Sequence, residues 1–71
     1  MGTVIDARGL SCPQPVLITL AEIKGMNEGE VVVLVDTDTS KENVSRAATS
    51  KGWQVSEVHA EGSGYRIIIR K

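Results

Sequence analysis

The run Val31-Val32-Val33-Leu34-Val35 is the longest uninterrupted stretch of apolar residues in this chain, and Asp36 ends it. Four of its five residues are β-branched valines. A continuous apolar run of this length favours a strand that has neighbours on both sides and cover on at least one face. We therefore predict a central strand over residues 31–35. Residues of the run that face away from the cover would form an exposed apolar patch suited to docking.

A strand and a helix are predicted before this run. Thr3–Ala7 is typical of a short first strand. From Pro13 the apolar residues recur at helical spacing, and Gly25 supplies a stop signal, so the first helix is predicted from Pro13 up to that glycine. Its apolar residues are Val16, Leu17, Leu20 and Ile23, which are predicted to form its buried face. Ile18 would point away from that face, either as a single exposed apolar residue or, with Gln14, as an apolar spot for a partner.

A second helix and two strands are predicted after the run. Thr39-Ser40-Lys41-Glu42 matches a capping box, which predicts a helix with Thr39 as its N-cap, and Gly52 would close that helix at positive φ. The apolar residues of the next segment change parity near residues 56–57, which predicts a β-bulge in the third strand. The residues on either side of this change are Trp53 and Val55, then Val58 and Ala60. A turn at residues 62–64 then leads into the last strand over residues 65–70.

The element order β-α-β-α-β-β predicts an α/β two-layer sandwich with one sheet face left open. With 71 residues, the chain has room for a single domain, which we place at residues 1–71. A hydrophobic share of 41% and a charged share of 24% are typical of an ordinary globular domain.

Charge and composition exclude several classes of function. A net charge of −1 lacks the basic excess of nucleic-acid-binding domains, so tight binding to RNA or DNA by this chain alone is not expected. The sequence contains no membrane span and begins with no signal peptide, which predicts a cytoplasmic protein. One cysteine cannot form an internal disulfide, and with the single His59 it falls short of a structural zinc site, so we expect no metal.

The only cysteine and both prolines lie together at the start of the first predicted helix. A residue before proline is held in extended geometry, so Cys12 is predicted to be the helix N-cap. Pro13 then falls at the first helical position and Pro15 at the third, where a missing N–H costs the helix nothing. Gln14 would have to be helical although it precedes Pro15, which strains its backbone mildly, and such strain is typical of residues beside a functional site.

The partial positive charge of a helix N-terminus favours a thiolate at Cys12 and would lower the pKa of that thiol. Arg8 would add a second positive influence if its side chain turned toward the sulfur. No catalytic base accompanies the thiol, because His59 is expected to be a solvated strand residue between Glu57 and Glu61. This pattern favours a thiol that carries a sulfur atom as a persulfide until an acceptor arrives. Cys12 as a purely structural cap is the alternative.

The segment Asp6-Ala-Arg-Gly-Leu-Ser-Cys12-Pro13-Gln-Pro15 resembles the TusA/SirA/YedF-like family of small sulfur carriers. The resemblance extends over nearly the whole chain, and the stretches at residues 42–46 and 65–70 look most like the YedF branch. It implies a four-stranded mixed sheet with two helices on one face. The residues it assigns to the motif around Cys12 are Asp6, Arg8, Gly9, Pro13, Gln14 and Pro15. For Asp6, a turn-capping carboxylate is an equally good and compatible interpretation.

The resemblance also implies partners and chemistry. A donor such as a cysteine desulfurase or rhodanese would place sulfur on Cys12. An acceptor protein would take it toward tRNA thiolation, molybdenum-cofactor synthesis, sulfur oxidation or selenium metabolism. The covalent persulfide is then the only group carried, with no separate cofactor, and we expect a monomer that needs partner proteins for turnover. Two other hypotheses stay open: a regulatory interaction module, and an RNA-binding sandwich whose near-neutral charge predicts weak affinity for tRNA.

Overall fold

The computed structural model describes residues 2–10 and 14–71. The elements follow the predicted order: β1 Gly2–Asp6, α1 Gln14–Lys24, β2 Glu30–Val35, α2 Asp38–Ser50, β3 Gln54–Glu61 and β4 Gly64–Arg70. The predictions that Cys12 caps the first helix and that Pro13 is its first residue lie outside the described residues.

The four strands form one mixed sheet in the order β1-β2-β4-β3. β1 runs parallel to β2, and β4 pairs antiparallel with both β2 and β3. α1 packs on β2, and α2 packs on β3 and β4. The predicted two-layer sandwich with a four-stranded mixed sheet is therefore confirmed, as is the central position of β2.

Burial alternates along β2, because only one face of the sheet is covered. Val31, Val33 and Val35 are fully buried, whereas Val32 and Leu34 are partly exposed on the other face. The register places Val32 next to Val4 of β1, which is 64% exposed. The uncovered face thus keeps an apolar row, as the composition of the run predicted.

The orientation of α1 differs from the prediction. Its buried residues are Pro15, Thr19 and Ile23, whereas Leu17 is 57% exposed and Ile18 packs against the core. A buried threonine is tolerated here because the Thr19 hydroxyl donates a hydrogen bond of 2.7 Å to the Pro15 carbonyl oxygen. The predictions that Leu17 belongs to the buried face and that Ile18 points away from it were wrong.

The start of α2 also differs from the prediction. Its N-cap is Thr37, whose extended backbone precedes Asp38 and whose hydroxyl accepts a hydrogen bond of 3.0 Å from the Ser40 N–H. Thr39 lies within the helix, so its assignment as N-cap was wrong. The Thr37 carbonyl oxygen already accepts a helical hydrogen bond from the Lys41 N–H at 3.0 Å, so the helix begins two residues earlier than predicted.

The end of α2 agrees with the prediction. Gly52 has a φ of +85°, and its N–H donates to the Thr49 carbonyl oxygen at 3.0 Å. The next N–H, from Trp53, donates to the Ala48 carbonyl oxygen at 3.0 Å. These bonds satisfy carbonyls at the helix end and bring Trp53 into the core, where it is 2% exposed.

The predicted bulge in β3 is confirmed. The pairing of β3 with β4 shifts between Val55 and Glu57. Val55, before the shift, lies opposite Ile69, and Val58, after it, lies opposite Ile67, so both valines lie on the face that carries the buried isoleucines. The bulge therefore keeps both valines on this face despite the change of parity in the sequence, and of the two Val55 packs against the core while Val58 is 43% exposed.

A two-residue turn at residues 62–63 joins β3 to β4, where Gly64 pairs with Glu61. Gly64 lies against the end of β2. A Cβ atom at this position would collide with the Val35 carbonyl oxygen and lie 3.1 Å from the Asp36 Cα. Only glycine therefore allows β4 to start so close to Asp36.

Candidate functional site

The turn that follows β1 is fixed to the end of β2. The Ala7 N–H donates to the Leu34 carbonyl oxygen at 2.8 Å and thereby continues the parallel pairing one residue beyond β1. The carboxyl ends of both strands consequently meet at one edge of the sheet, where Asp6 and Asp36 lie. The carboxyl ends of parallel strands are the usual location of ligand and reaction sites in α/β sheets.

Asp6 and Arg8 form a three-bond ion pair within this turn. The Arg8 N–H donates to Asp6 Oδ1 at 3.1 Å, while Nε donates to Oδ1 and Nη2 to Oδ2, both at 2.9 Å. The Arg8 side-chain bonds, and then its backbone bond, lower the pKa of Asp6 from 3.8 to about 2. Asp6 in return raises the pKa of Arg8. The turn-capping interpretation of Asp6 is confirmed.

This ion pair changes the interpretation of Arg8. Its guanidinium is bonded to Asp6, so much of its positive charge is compensated within the turn. The pair is 58% and 56% exposed, which makes it a device for holding the turn rather than a large source of stability. A direct influence of Arg8 on Cys12 stays a prediction.

Gly9 connects the turn to a residue that the sequence analysis did not select. Its N–H donates to Asp36 Oδ2 at 2.8 Å, and its φ is +79°. The signal that could have identified Asp36 is its position directly after the central strand, at the same edge as the end of its parallel neighbour. The motif residue Gly9 therefore serves to close the turn against β2.

The first turn of α1 presents no negative charge. Among the described residues of that turn, Gln14 is exposed, Pro15 is buried and none is acidic. Pro15 does not interrupt the helix, which continues to Lys24 as predicted. A helix start without carboxylates keeps the partial positive charge that favours an anion.

Cys12 itself lies outside the described residues, as do Ser11 and Pro13. In the sequence it falls between Gly9, which is bonded to Asp36, and Gln14, which begins the described part of α1. The described residues bring Asp6, Arg8, Gly9 and Asp36 together and place Gln14 and Pro15 on the next element.

His59 lies away from this turn. It is on β3, half exposed, with its Nε2 atom 3.3 Å from Glu57 Oε1, in agreement with the predicted solvated strand histidine. Across residues 2–10 and 14–71, no three histidine, cysteine or acidic side chains come together as a metal site. Over the same ranges, no helix has the length and apolar character needed to cross a membrane.

Comparison with known proteins identifies the family. The family model described as "Sulfurtransferase TusA" matches residues 3–71. A protein of Methanocaldococcus jannaschii is 37% identical over 68 residues, which cover 94% of this chain and 91% of the relative. The sulfur carrier protein TusA of Allochromatium vinosum is 31% identical over 68 residues, which cover 94% of this chain and 90% of the relative.

A solved structure shows the same fold. The crystal structure of the SirA-like protein from Desulfitobacterium hafniense superposes with a TM-score of 0.85 at 33% sequence identity. The match covers 99% of this chain and 96% of that one. Because the family model spans residues 3–71 and the two relatives above are covered over at least 90% of their length, this chain belongs to the TusA family.

Proposed function

We propose that this protein is a sulfur carrier that holds a sulfane sulfur as a persulfide on Cys12. Membership of the TusA family supports a sulfur carrier role. The observation that carries the proposal is the family match over residues 3–71 in a chain with a single cysteine. That cysteine follows the turn held by Asp6, Arg8 and Asp36.

The proposed reaction is a thiol exchange with balanced atoms and electrons. The Cys12 thiolate attacks the terminal sulfur of a donor persulfide, so a new S–S bond forms at Cys12 while the S–S bond of the donor breaks. The donor leaves as a thiolate, and the proton of the terminal sulfur stays with the transferred atom. Delivery to an acceptor thiolate repeats the same steps in the opposite sense, and no external oxidant is needed.

The surrounding residues have supporting roles in this proposal. The Asp6–Arg8 pair and the bond from Gly9 to Asp36 hold the chain before Cys12. α1 follows Cys12, and the dipole at its N-terminus favours the thiolate over the thiol. We assign to Pro13, Gln14 and Pro15 the task of stiffening the chain that directly follows Cys12 in the sequence.

Partner proteins complete the cycle. With one cysteine the chain has no second thiol that could release the sulfur by forming an internal disulfide. The persulfide therefore persists until an acceptor thiol attacks it. We propose a cysteine desulfurase or a rhodanese as donor and a thiol-bearing protein as acceptor. Both exchanges suit the cytoplasm, where thiols stay reduced.

Intact-mass measurement tests the proposal. The protein is incubated with a cysteine desulfurase and L-cysteine, and then weighed with and without a thiol reductant. We expect a gain of one sulfur atom that the reductant removes and that Cys12→Ala abolishes. The absence of this gain, or a gain that persists in Cys12→Ala, would refute the proposal.

A further inference from the structure

A groove of about 670 Å³ lies toward the C-terminal end of α1, away from the turn that precedes Cys12. Its apolar floor includes Leu17 and Leu20 of α1 together with Met26 and Trp53. Leu17 is 57% exposed, whereas Trp53 is 2% exposed, so the groove is open to solvent at Leu17 and closed at Trp53. We call it the lysine-rimmed groove, because Lys24, Lys51 and Lys71 also line it.

These lysines differ from most other basic residues of the protein. Within the described part of the chain, four lysine and arginine side chains form ion pairs with carboxylates: Arg8 with Asp6, Lys41 with Asp38, Arg66 with Glu61 and Arg70 with Glu30. Over the same residues, the ion pairs include none of the three rim lysines, and no acidic residue lines the groove. Positive charge is thus concentrated here although the net charge of the chain is −1.

The position of Lys71 in the rim is fixed by the backbone. Its N–H donates to the Gly29 carbonyl oxygen, and the Gly29 N–H donates to its carbonyl oxygen, both at 3.0 Å. The Lys71 ammonium group donates to the Lys51 carbonyl oxygen at 3.5 Å. The backbone of Lys71 is therefore anchored to Gly29, and its ammonium group lies beside the backbone of Lys51, a second residue of the rim.

We propose that the lysine-rimmed groove is a docking site for an acidic segment of a partner protein. An apolar side chain of that segment would contact the floor, and neighbouring carboxylates would pair with the rim lysines. This inference rests on the proposed function, because a carrier must bind a donor and an acceptor. An apolar centre with a charged rim is the usual anatomy of a protein interface, and the sign of this rim selects an acidic partner.

The groove is a second contact, separate from the reactive end of α1. A helix rises about 1.5 Å per residue, so Lys24 lies roughly 15 Å along the axis from Gln14 and Leu17 only about 4.5 Å from it. A segment seated in the groove would therefore approach the reactive end at Leu17. Docking in the groove and sulfur exchange at the reactive end can then occur at the same time.

Trp53 provides a direct readout, since it is the only tryptophan and forms part of the floor. Its fluorescence is titrated with a capped helical peptide that carries leucines on one face and glutamates elsewhere, and with a matched peptide in which lysines replace the glutamates. We expect the glutamate peptide to bind about tenfold more tightly, and this preference to shrink at high salt. Equal affinity for the two peptides would overturn the proposal.

Variants locate the binding. The triple variant Lys24→Gln, Lys51→Gln, Lys71→Gln should weaken the glutamate peptide about tenfold, and Leu17→Gln should weaken both peptides. Arg46→Gln is the matched control, because Arg46 lies on α2 outside the groove and in none of the ion pairs above. Circular dichroism verifies that each variant is folded. An unchanged affinity in the triple variant, or an equal loss in Arg46→Gln, would overturn the proposal.

Two further arms separate this inference from its alternatives. Cys12→Ser should leave peptide affinity unchanged, so a failure of persulfide loading and a failure of docking are distinguishable. Decanoate and decyltrimethylammonium test whether the groove takes a small amphiphile instead. Saturable quenching of Trp53 by decanoate without binding of the glutamate peptide would replace the docking proposal with a small-ligand site.

Discussion

The charged side chains near the two ends of α1 differ in whether they have partners within the protein. Before the helix, the Arg8 guanidinium is bonded to Asp6 and the Asp36 carboxylate accepts from the Gly9 N–H. At the far end, the three lysines of the groove belong to none of the ion pairs among the described residues. Charges that are satisfied internally fix a backbone shape, whereas unpaired charges are available to another molecule. The first end is therefore suited to positioning a reactive group and the second to recognition.

The largest expected effect comes from a substitution of Gly64, which lies against Asp36, the residue that holds the turn before α1. Gly64→Ala should destabilise the protein by about 3 kcal/mol, because the new methyl group meets the backbone of Val35 and Asp36, which cannot move aside without disturbing β2. Urea denaturation measures this loss. Gly25→Ala is the control, since a Cβ there meets nothing within 4 Å and should change stability little. Equal stability of the two variants would contradict the close approach of β4 to Asp36.

Gly9→Ala tests the turn more selectively. The φ of +79° at Gly9 disfavours any L side chain, so we expect a loss of about 1–2 kcal/mol together with slower persulfide loading of Cys12. Affinity of the groove for the glutamate peptide should not change. A variant that loses peptide affinity in proportion to its loading rate would show that the two ends are not independent.

Thr37→Ala tests the N-cap of α2, which lies two residues after the end of β2. Removal of the hydroxyl that accepts the Ser40 N–H should cost about 1 kcal/mol in denaturant unfolding. Thr39→Ala is the matched control and should be nearly neutral, because Thr39 lies inside α2. The opposite order of effects would restore Thr39 as the cap.

The smallest effect concerns the pH dependence of the Asp6–Arg8 pair. The pKa of Asp6 is lowered from 3.8 to about 2, so its contribution to stability is complete above pH 3.8 and is lost as the pH falls through about 2. Carbon-detected NMR titration of the Asp6 carboxyl group should give a midpoint near 2 in the native protein. In an Arg8→Gln variant, the midpoint should move up toward 3.8. A native midpoint already near 3.8 would show that the pair does not form in solution.

Local sequence patterns predicted most of the fold. The apolar run at residues 31–35 identified the central strand, and the change of parity in the third strand identified the bulge between Val55 and Glu57. The orientation of α1 was not predictable from hydrophobicity alone. The Thr19 hydroxyl can be buried because it donates to the Pro15 carbonyl oxygen, and a pattern of apolar residues does not reveal such a contact.

The contacts at the two ends of α1 were less predictable from the sequence. Asp6, Arg8 and Gly9 were selected by their place in the motif, but the Asp36 contact joins residues 27 positions apart and appears only when β1 and β2 pair. The groove could not be predicted for a related reason. Its lysines lie at positions 24, 51 and 71, and only the packing of α1 against the end of α2 and the last residue of the described chain brings them together.

The bulge in β3 has a consequence for aggregation. β3 is one of the two outer strands of the sheet, and its free side would otherwise present a regular row of N–H and C=O groups. Such a row is a template on which a strand from another molecule can add and start a fibre. The irregular spacing at Val55 and Glu57 interrupts this template. At this edge of the sheet, the bulge therefore works against fibre growth by strand addition to β3.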